Sequence, residues 1–400
     1  MEIAGSHESR RERGSHSPWK LPVVFALLIT LLSVVAHVTS PSTLHQSEQS
    51  WAERIELHET SPIFSKRPLT SIAVVALHDS LGLGYRASFF ALQFALMTAA
   101  LICFWYWLSI LGFGRGEGLA GMVIFGLSHS VFLAHFEPIH TWSDFWVYAL
   151  IPLSLAWSLK KRYIPAVIAA VLALIARETS LLFVPLMIPA LRLGGSRRWP
   201  ASLAGAAVII LFVGERLYFH PHLSAIPDFK LLFNFDGLLR TSDTIFSVIV
   251  SLGFVWITGL LGLVSNSGFE SDRLRFLKWG GIWTVVGFTA SSLLFGQVRE
   301  SRLFVPTMVF LIPLTIVWWR SRRPAFRQLT GATPKWGQSA VALVLVALGI
   351  GLATVIFPEF EYRAWRDGSW VWLGLNIAAA GVVITVERKW KRMHNQSLGG

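Results

Sequence analysis

The sequence predicts an all-α fold, a polytopic bundle of about twelve membrane-crossing helices (ten to thirteen) with one further helix in the first outer loop. Two observations predict it. Hydrophobic residues make up 53% of the 400 residues and charged residues only 14%, whereas soluble domains carry about 25% charged residues. The apolar residues also form runs long enough to cross a hydrocarbon core of about 30 Å. The composition therefore excludes a soluble globular class.

The basic residues and tryptophans follow the same organisation. A net charge of +12 and 18 Trp could suggest a nucleic-acid partner. However, the Lys and Arg residues form short clusters between the apolar runs, and many Trp residues lie near the ends of those runs. This distribution is typical of cytoplasmic loops and interfacial aromatic belts. We therefore predict a lipid bilayer, and no nucleic acid, as the partner.

The chain divides into a tail, a membrane domain and a second tail. Residues 1–18 are polar and Arg-containing and predict a disordered basic cytoplasmic tail. Residues 19–387 form the transmembrane domain, whose first apolar run is near twenty residues long and lacks a small-x-small cleavage site, so we expect an uncleaved helix. Residues 388–400 are a basic cytoplasmic tail. The predicted crossings are 19–38, 88–113, 119–136, 142–158, 163–176, 180–192, 201–218, 244–264, 279–295, 303–319, 337–357 and 370–386.

The orientation follows from the charges of the loops. In this topology most of the 35 Lys and Arg residues fall on the side of the two termini, and most of the 23 acidic residues fall on the other side. Because basic residues collect in the cytoplasm, we expect both termini there and the chain in the plasma (inner) membrane. The acid-rich outer face is where we expect function.

The polar stretch Arg177-Glu178-Thr179-Ser180 interrupts the longest apolar run, 163–193. A single helix of this length would extend about 45 Å and would hold Arg and Glu near its middle at roughly 3 kcal/mol each. We therefore predict two short helices. Since basic clusters precede and follow the run, the break between the helices faces outward.

A similar stretch recurs at Arg299-Glu300-Ser301-Arg302, and each copy is followed by an apolar run that ends in Val-Pro. In one interpretation, both copies are ordinary helix starts with Ser or Thr near the cap and an acid in the first turn. In the other, two helix N-termini converge on an outer cavity and bind a phosphate through Arg177, Arg299 and Arg302, flanked by Glu178 and Glu300. Cross-pairing of Arg177 with Glu300 and of Arg299 with Glu178 is the structural alternative.

The longest outer segments are residues 39–87 and 219–243. Glu53, Glu56 and Glu59 recur at a spacing of three in the first and precede Lys66 and Arg67. One of these acids is a candidate general base acting on an anionic, membrane-bound substrate held near Lys66 and Arg67. The same spacing also suits the exposed face of an acidic helix. The semi-apolar residues 69–83 predict an interfacial or re-entrant helix.

A second polar group contains residue types that bind metal ions. It comprises His129, His135, Glu137, His140 and Asp144. Such residues can hold a divalent cation, or they can be interfacial polar residues satisfied by neighbours or water. The set does not close a ligand sphere, so we assign no metal ligands and no definite cofactor, and a divalent cation stays open as an alternative. The single cysteine, Cys103, excludes an intrachain disulfide.

With these residues in place, the chain resembles the GT-C class of membrane glycosyltransferases. The resemblance covers most of the chain: a basic tail, a first helix, a long acidic outer loop, a juxtamembrane helix and many further spans. It implies transfer of a sugar from a polyprenyl-phosphate carrier on the outer face. It also implies that Glu53, Glu56 or Glu59 is the base and that Arg177, Arg299 or Arg302 contacts the phosphate. The acids here stand three apart instead of in the near-adjacent pair common in that class.

Two other classes stay open, a membrane transporter or lipid flippase and a non-catalytic membrane component. A transporter is expected to show two-fold pseudo-repeats and charges near the bilayer midplane. The sequence shows no repeat beyond the one short stretch, and its charges lie at the predicted membrane faces. A purely structural component does not require Arg-Glu pairs at an outer membrane edge.

Overall fold

The computed structural model describes residues 19–38, 47–60, 67–132, 143–219, 244–245, 248–249, 251–265, 271–295, 301–331 and 363–398. This part of the chain is helical and contains no β-strand. The helices are α1 Lys20–Val38, α2 Glu48–Thr60, α3 Leu69–Leu81, α4 Tyr85–Ile110, α5 Arg115–Gly126, α6 His129–Phe132, α7 Asp144–Leu159, α8 Tyr163–Ala176, α9 Val184–Leu193, α10 Arg198–Phe219, α11 Phe254–Val264, α12 Ser271–Phe295, α13 Met308–Gly331 and α14 Arg363–Leu398. Two 3₁₀ segments, Glu178–Phe183 and Ser301–Thr307, precede α9 and α13.

The predicted membrane character is confirmed. Among the described residues, three helical stretches are long and apolar enough to cross a membrane: α4, most of α10, and 304–329 around α13. Helices α1, α3, α7, α8 and α11 are apolar but shorter. The predicted crossing at 337–357 lies outside the described residues, as does the tail 1–18. The number of crossings stays a prediction.

Helix α4 is central to the core and contacts α1, α5 and α7. Its side chains Phe104 and Trp107 are fully buried. The Trp107 indole Nε1 donates to the Val309 carbonyl at 2.9 Å, and the Phe104 ring stacks on Phe125 with centroids 4.5 Å apart. A buried tryptophan N–H needs such an acceptor, so this bond fixes α13 against α4.

Helices α11 and α13 approach closely because α11 presents glycines to its neighbour. A Cβ atom added to Gly262 would lie 2.2 Å from the Leu314 carbonyl oxygen, and one added to Gly259 would lie 2.9 Å from a Leu311 methyl carbon. Both distances are shorter than van der Waals contact. Small residues at a helix interface allow this approach of two backbones, as in other membrane bundles.

The run from Tyr163 to Leu193 is broken where the sequence predicts. Helix α8 ends at Ala176, and Arg177 is extended, with φ −160° and ψ 121°. The start of α8 and the end of α9 lie at the same end of the bundle, since a Cβ on Gly195 would approach the Lys161 Nζ to 2.8 Å. The break therefore lies at the opposite end. A 3₁₀ segment extends to Phe183, so α9 starts later than predicted.

The first loop contains the two expected helices. Helix α2 buries Trp51, Ile55 and His58, and the Trp51 ring packs on Phe89 of α4 at 4.9 Å. Helix α3 ends at Leu81, and Gly82 follows in the left-handed conformation, with φ 62°, which glycine adopts without a Cβ penalty. Both the acidic helix and the juxtamembrane helix are confirmed as helices.

Two other predicted boundaries differ from the structure. The predicted crossing at 119–136 is divided, because α5 ends at Gly126 and α6 is a single turn. The Ser128 hydroxyl donates to the Phe125 carbonyl at 2.8 Å, and side-chain bonds of this type compete with helix continuation. Helix α14 continues from the predicted crossing 370–386 into the predicted tail 388–400.

Candidate ionic site at the helix break

Arg67 joins the first outer loop to the break between α8 and α9. Arg67 Nη2 donates to Glu178 Oε1 at 2.7 Å, and Nε donates to Oε2 at 3.0 Å. This is the two-pronged geometry in which a guanidinium matches a carboxylate. The side chain of Arg67 is 14% exposed and that of Glu178 is 40% exposed. The pair is therefore held in place but accessible from one side.

Arg177 turns away from Glu178 and enters the bundle. Its Nη1 donates to Asp144 Oδ1, in the first turn of α7. Arg177 is extended whereas Glu178 begins the 3₁₀ segment, so the two side chains leave the backbone in different directions and reach different partners. The Asp144 side chain is fully buried and that of Arg177 is 6% exposed. This second pair fixes the break against α7.

The electrostatics keep Glu178 ionised. Burial by itself would raise the pKa of Glu178, but the charge and hydrogen bonds of Arg67, a backbone hydrogen bond and the charge of Arg177 together lower the pKa from 4.5 to about 2. A carboxylate with so low a pKa is a weak base at neutral pH. Glu178 therefore suits the role of orienting Arg67 and does not suit that of a general base.

His58 lies beside this site on the buried face of α2. Its Nδ1 and the Ser71 Oγ are 2.6 Å apart, and both side chains are 2% exposed. Burial, and then the positive charge of Arg67, lower the pKa of His58 from 6.5 to about 4. The imidazole is thus neutral at pH 7 and links α2 to α3. His58 is not among the candidate residues that the sequence predicts, although its place on one helical face with Trp51 and Ile55 marks it as buried.

The three candidate acids lie on the other side of α2. Glu53, Glu56 and Glu59 are all exposed, and Glu53 accepts a hydrogen bond from Gln49 Nε2 at 3.0 Å. Within the described part of the chain, no hydrogen bond or ion pair connects these acids to Arg67 or Arg177. The helix thus presents an acidic face outward while its apolar face holds it near the ionic site.

The segments at Glu178–Phe183 and Ser301–Thr307 share a local structure. Each is a 3₁₀ segment followed by an α-helix, and both contact α12. Trp283 Nε1 of α12 donates to the Leu182 carbonyl at 2.7 Å. Lys66, Arg299 and Glu300 lie outside the described residues, and Arg302 is described only as part of its 3₁₀ backbone. The proposed cross-pairs therefore cannot be placed, and the partners seen for Arg177 and Glu178 are Asp144 and Arg67.

The candidate metal ligands are only partly within the described residues. His135, Glu137 and His140 fall outside them. In the ranges that the structure does cover, no three His, Cys, Asp or Glu residues are grouped closely enough to hold a metal ion. Asp144 pairs with Arg177, and His129 is described only as part of the α6 backbone.

The chain matches no protein-family model, no curated protein and no solved structure. We therefore infer its function from the chemistry of its own residues.

Proposed function

We propose that the chain is a multi-pass membrane glycosyltransferase, similar to the GT-C class, that moves a sugar from a polyprenyl-phosphate carrier to an acceptor on the outer face of the membrane. In this proposal about twelve helices cross the plasma (inner) membrane and both termini are cytoplasmic. The observation that carries it is the contact of Arg67 with Glu178. This contact places the first loop and the helix break at one end of the bundle.

Arg67 is the residue best placed to meet a carrier phosphate. Its Nε and Nη2 atoms face Glu178, and Nη1 is not used in that contact. A guanidinium oriented by a carboxylate on one edge can donate from its other nitrogen to a phosphate oxygen. Arg177 supports the site indirectly, because its buried pair with Asp144 fixes the backbone from which Glu178 projects.

The acidic face of α2 supplies the candidate base. Helix α2 is anchored on α3 and α4, and α3 begins two residues after Arg67. Glu53, Glu56 and Glu59 are exposed, so an acceptor hydroxyl approaching from the membrane surface can reach them. A carboxylate in this position would take the proton of the acceptor as the sugar leaves its phosphate.

Turnover with defined carriers tests the proposal. The purified chain is incubated with a panel of polyprenyl-monophosphate sugars and a panel of hydroxyl-bearing acceptors, and release of polyprenyl phosphate and formation of the glycosylated acceptor are measured. One of the substitutions Glu53→Gln, Glu56→Gln and Glu59→Gln should lower turnover by about a hundredfold or more, while the other two are tolerated. Arg67→Lys should raise the KM for the carrier, because it keeps the charge but loses the forked geometry.

Arg115→Lys, at an exposed arginine of α5, is the matched control and should not change the KM. Equal turnover in all three glutamine variants would refute the base assignment. Movement of labelled carrier across liposome membranes without sugar transfer would refute the transferase and would favour the lipid flippase.

Cysteine labelling tests the orientation. On a Cys103→Ala background, Thr179→Cys at the break should react with an impermeant reagent added from outside intact cells. Arg197→Cys, at the opposite end of the α8 and α9 pair, should react only after the membrane is opened. The reverse pattern would place the ionic site in the cytoplasm and contradict an outer-face reaction.

A further inference from the structure

An apolar groove runs between α8 and α10. Its volume is about 410 Å³. Val167 and Ala204 form its floor, and its walls include Ile164 and Leu203, which are 74% and 63% exposed. An acyl chain in this groove would contact apolar side chains on its floor and on both walls.

The groove ends in a polar region at the starts of both helices. There the Tyr163 hydroxyl donates to the Ser196 Oγ at 2.6 Å. Immediately beyond lie Arg162, Arg197 and Arg198, whose side chains are exposed. Trp199, beside them, is 79% exposed, as is usual for an aromatic residue at the level of lipid headgroups.

At this end, the two helices that line the groove are flanked only by basic charges. The sequence contains no Asp or Glu between Asp144 and Glu178, or between Glu178 and Glu215. None of the ion pairs of the described residues includes Arg162, Arg197 or Arg198. Three exposed guanidinium groups at the mouth of an apolar groove attract an anion that carries a hydrocarbon chain.

We propose that this groove binds one anionic phospholipid, with an acyl chain along Ile164 and Leu203 and the headgroup phosphate at Arg162, Arg197 and Arg198. The site is separate from the ionic site at the helix break. Helix α8 has 14 residues, so the two lie about 21 Å apart along its axis. The proposal does not depend on the transferase activity.

Charge favours a lipid over a second copy of the chain as the occupant. Two copies in one membrane share a two-fold axis along the membrane normal, so both basic ends would lie at the same face. Pairing through this groove would bring the two arginine clusters together, and like charges repel. An anionic lipid neutralises the cluster instead.

Native mass spectrometry of the full-length protein in detergent tests the site. Phosphatidylglycerol and phosphatidylcholine with identical acyl chains are added separately, and the bound fraction is measured. We expect phosphatidylglycerol to bind about tenfold more tightly or better. Equal binding of the two lipids, or a dimer that excludes lipid, would overturn the proposal.

Two pairs of variants locate the bound lipid. The headgroup variant replaces the three arginines of the site: Arg162→Gln, Arg197→Gln and Arg198→Gln. Its control replaces three exposed basic residues of α14: Arg388→Gln, Lys391→Gln and Arg392→Gln. The first should remove the preference for phosphatidylglycerol, and the second should retain it. The groove variant Ile168→Trp fills the groove from a residue that is 53% exposed.

Ile168→Trp should weaken binding of both lipids by about tenfold. Its control, Ile210→Trp, alters an α10 residue that is 68% exposed and lies outside the groove, and it should bind as the wild type does. Because all the altered side chains are at least partly exposed, the fold should tolerate the changes. Unchanged binding in either the headgroup or the groove variant would refute the site.

Discussion

The substitution Asp144→Asn removes the buried charge that faces Arg177. The Asp144 side chain is fully buried and that of Arg177 is 6% exposed, so the variant leaves a guanidinium in the bundle without its carboxylate. Breaking a buried ion pair on one side costs about 3–5 kcal/mol. With an unfolding entropy of about 2.1 cal/mol/K per residue over 400 residues, the Tm should fall by about 4–6 °C.

The matched control is an exposed pair in the same chain. Asp272 and Arg275 approach to 3.6 Å with side chains 67% and 70% exposed. Such a pair contributes about 0–1 kcal/mol, so Asp272→Asn should shift the Tm by no more than about 1 °C. Thermal unfolding in detergent can be followed by intrinsic fluorescence, since the chain has 18 Trp.

A double variant separates lost charge pairing from lost packing. Asp144→Leu with Arg177→Met removes both charges and keeps apolar volume, and such replacements of buried pairs are often neutral or stabilising. We expect it to melt within about 2 °C of the wild type. Equal Tm values for Asp144→Asn and Asp272→Asn would show that the buried pair does not stabilise the helix break.

Three further predictions concern pH and packing. Glu178 has a folded-state pKa of about 2 against 4.5 when exposed, so its stabilising effect is complete above pH 4.5 and is lost as the pH falls toward 2. The Tm difference between wild type and Glu178→Gln should therefore shrink over that window. A constant difference would contradict the pairing with Arg67. His58 has a folded-state pKa of about 4 against 6.5 when exposed, so below pH 6.5 the unfolded state binds the proton more readily and stability falls until about pH 4. Melting curves of His58→Gln should lose this part of the pH dependence. An unchanged pH profile would exclude His58 as its source. Gly262→Ala places a Cβ 2.2 Å from a carbonyl oxygen of α13 and should lower the free energy of unfolding by about 1–3 kcal/mol. In the control Gly116→Ala, the added Cβ meets nothing within 4 Å, and the Tm should be unchanged or slightly raised. Equal Tm values of the two variants would refute the close helix contact.

Local chemistry allowed much of the fold to be predicted. Two charged residues in the apolar run 163–193 are too costly for the middle of a membrane helix, and the structure confirms that α8 ends at Ala176. The sequence also predicts α2 and α3, the first from the spacing of Glu53, Glu56 and Glu59 and the second from the semi-apolar residues 69–83. The helical class and the membrane-capable stretches follow from composition and from the length of the apolar runs.

The partners of the charged residues were decided only by tertiary structure. The sequence left open whether Arg177 and Glu178 belong to a phosphate site or pair with the second Arg-Glu stretch. In the structure an extended backbone at Arg177 directs Arg177 to Asp144 and Glu178 to Arg67, while Arg299 and Glu300 lie outside the described residues. Glu178 lies 111 residues from Arg67 in the chain, and no local pattern encodes that contact. The same holds for His58, whose lowered pKa arises from burial against α3 and from Arg67. Sequence periodicity reports which face of a helix is apolar, but which two faces meet depends on how all the helices fill one volume.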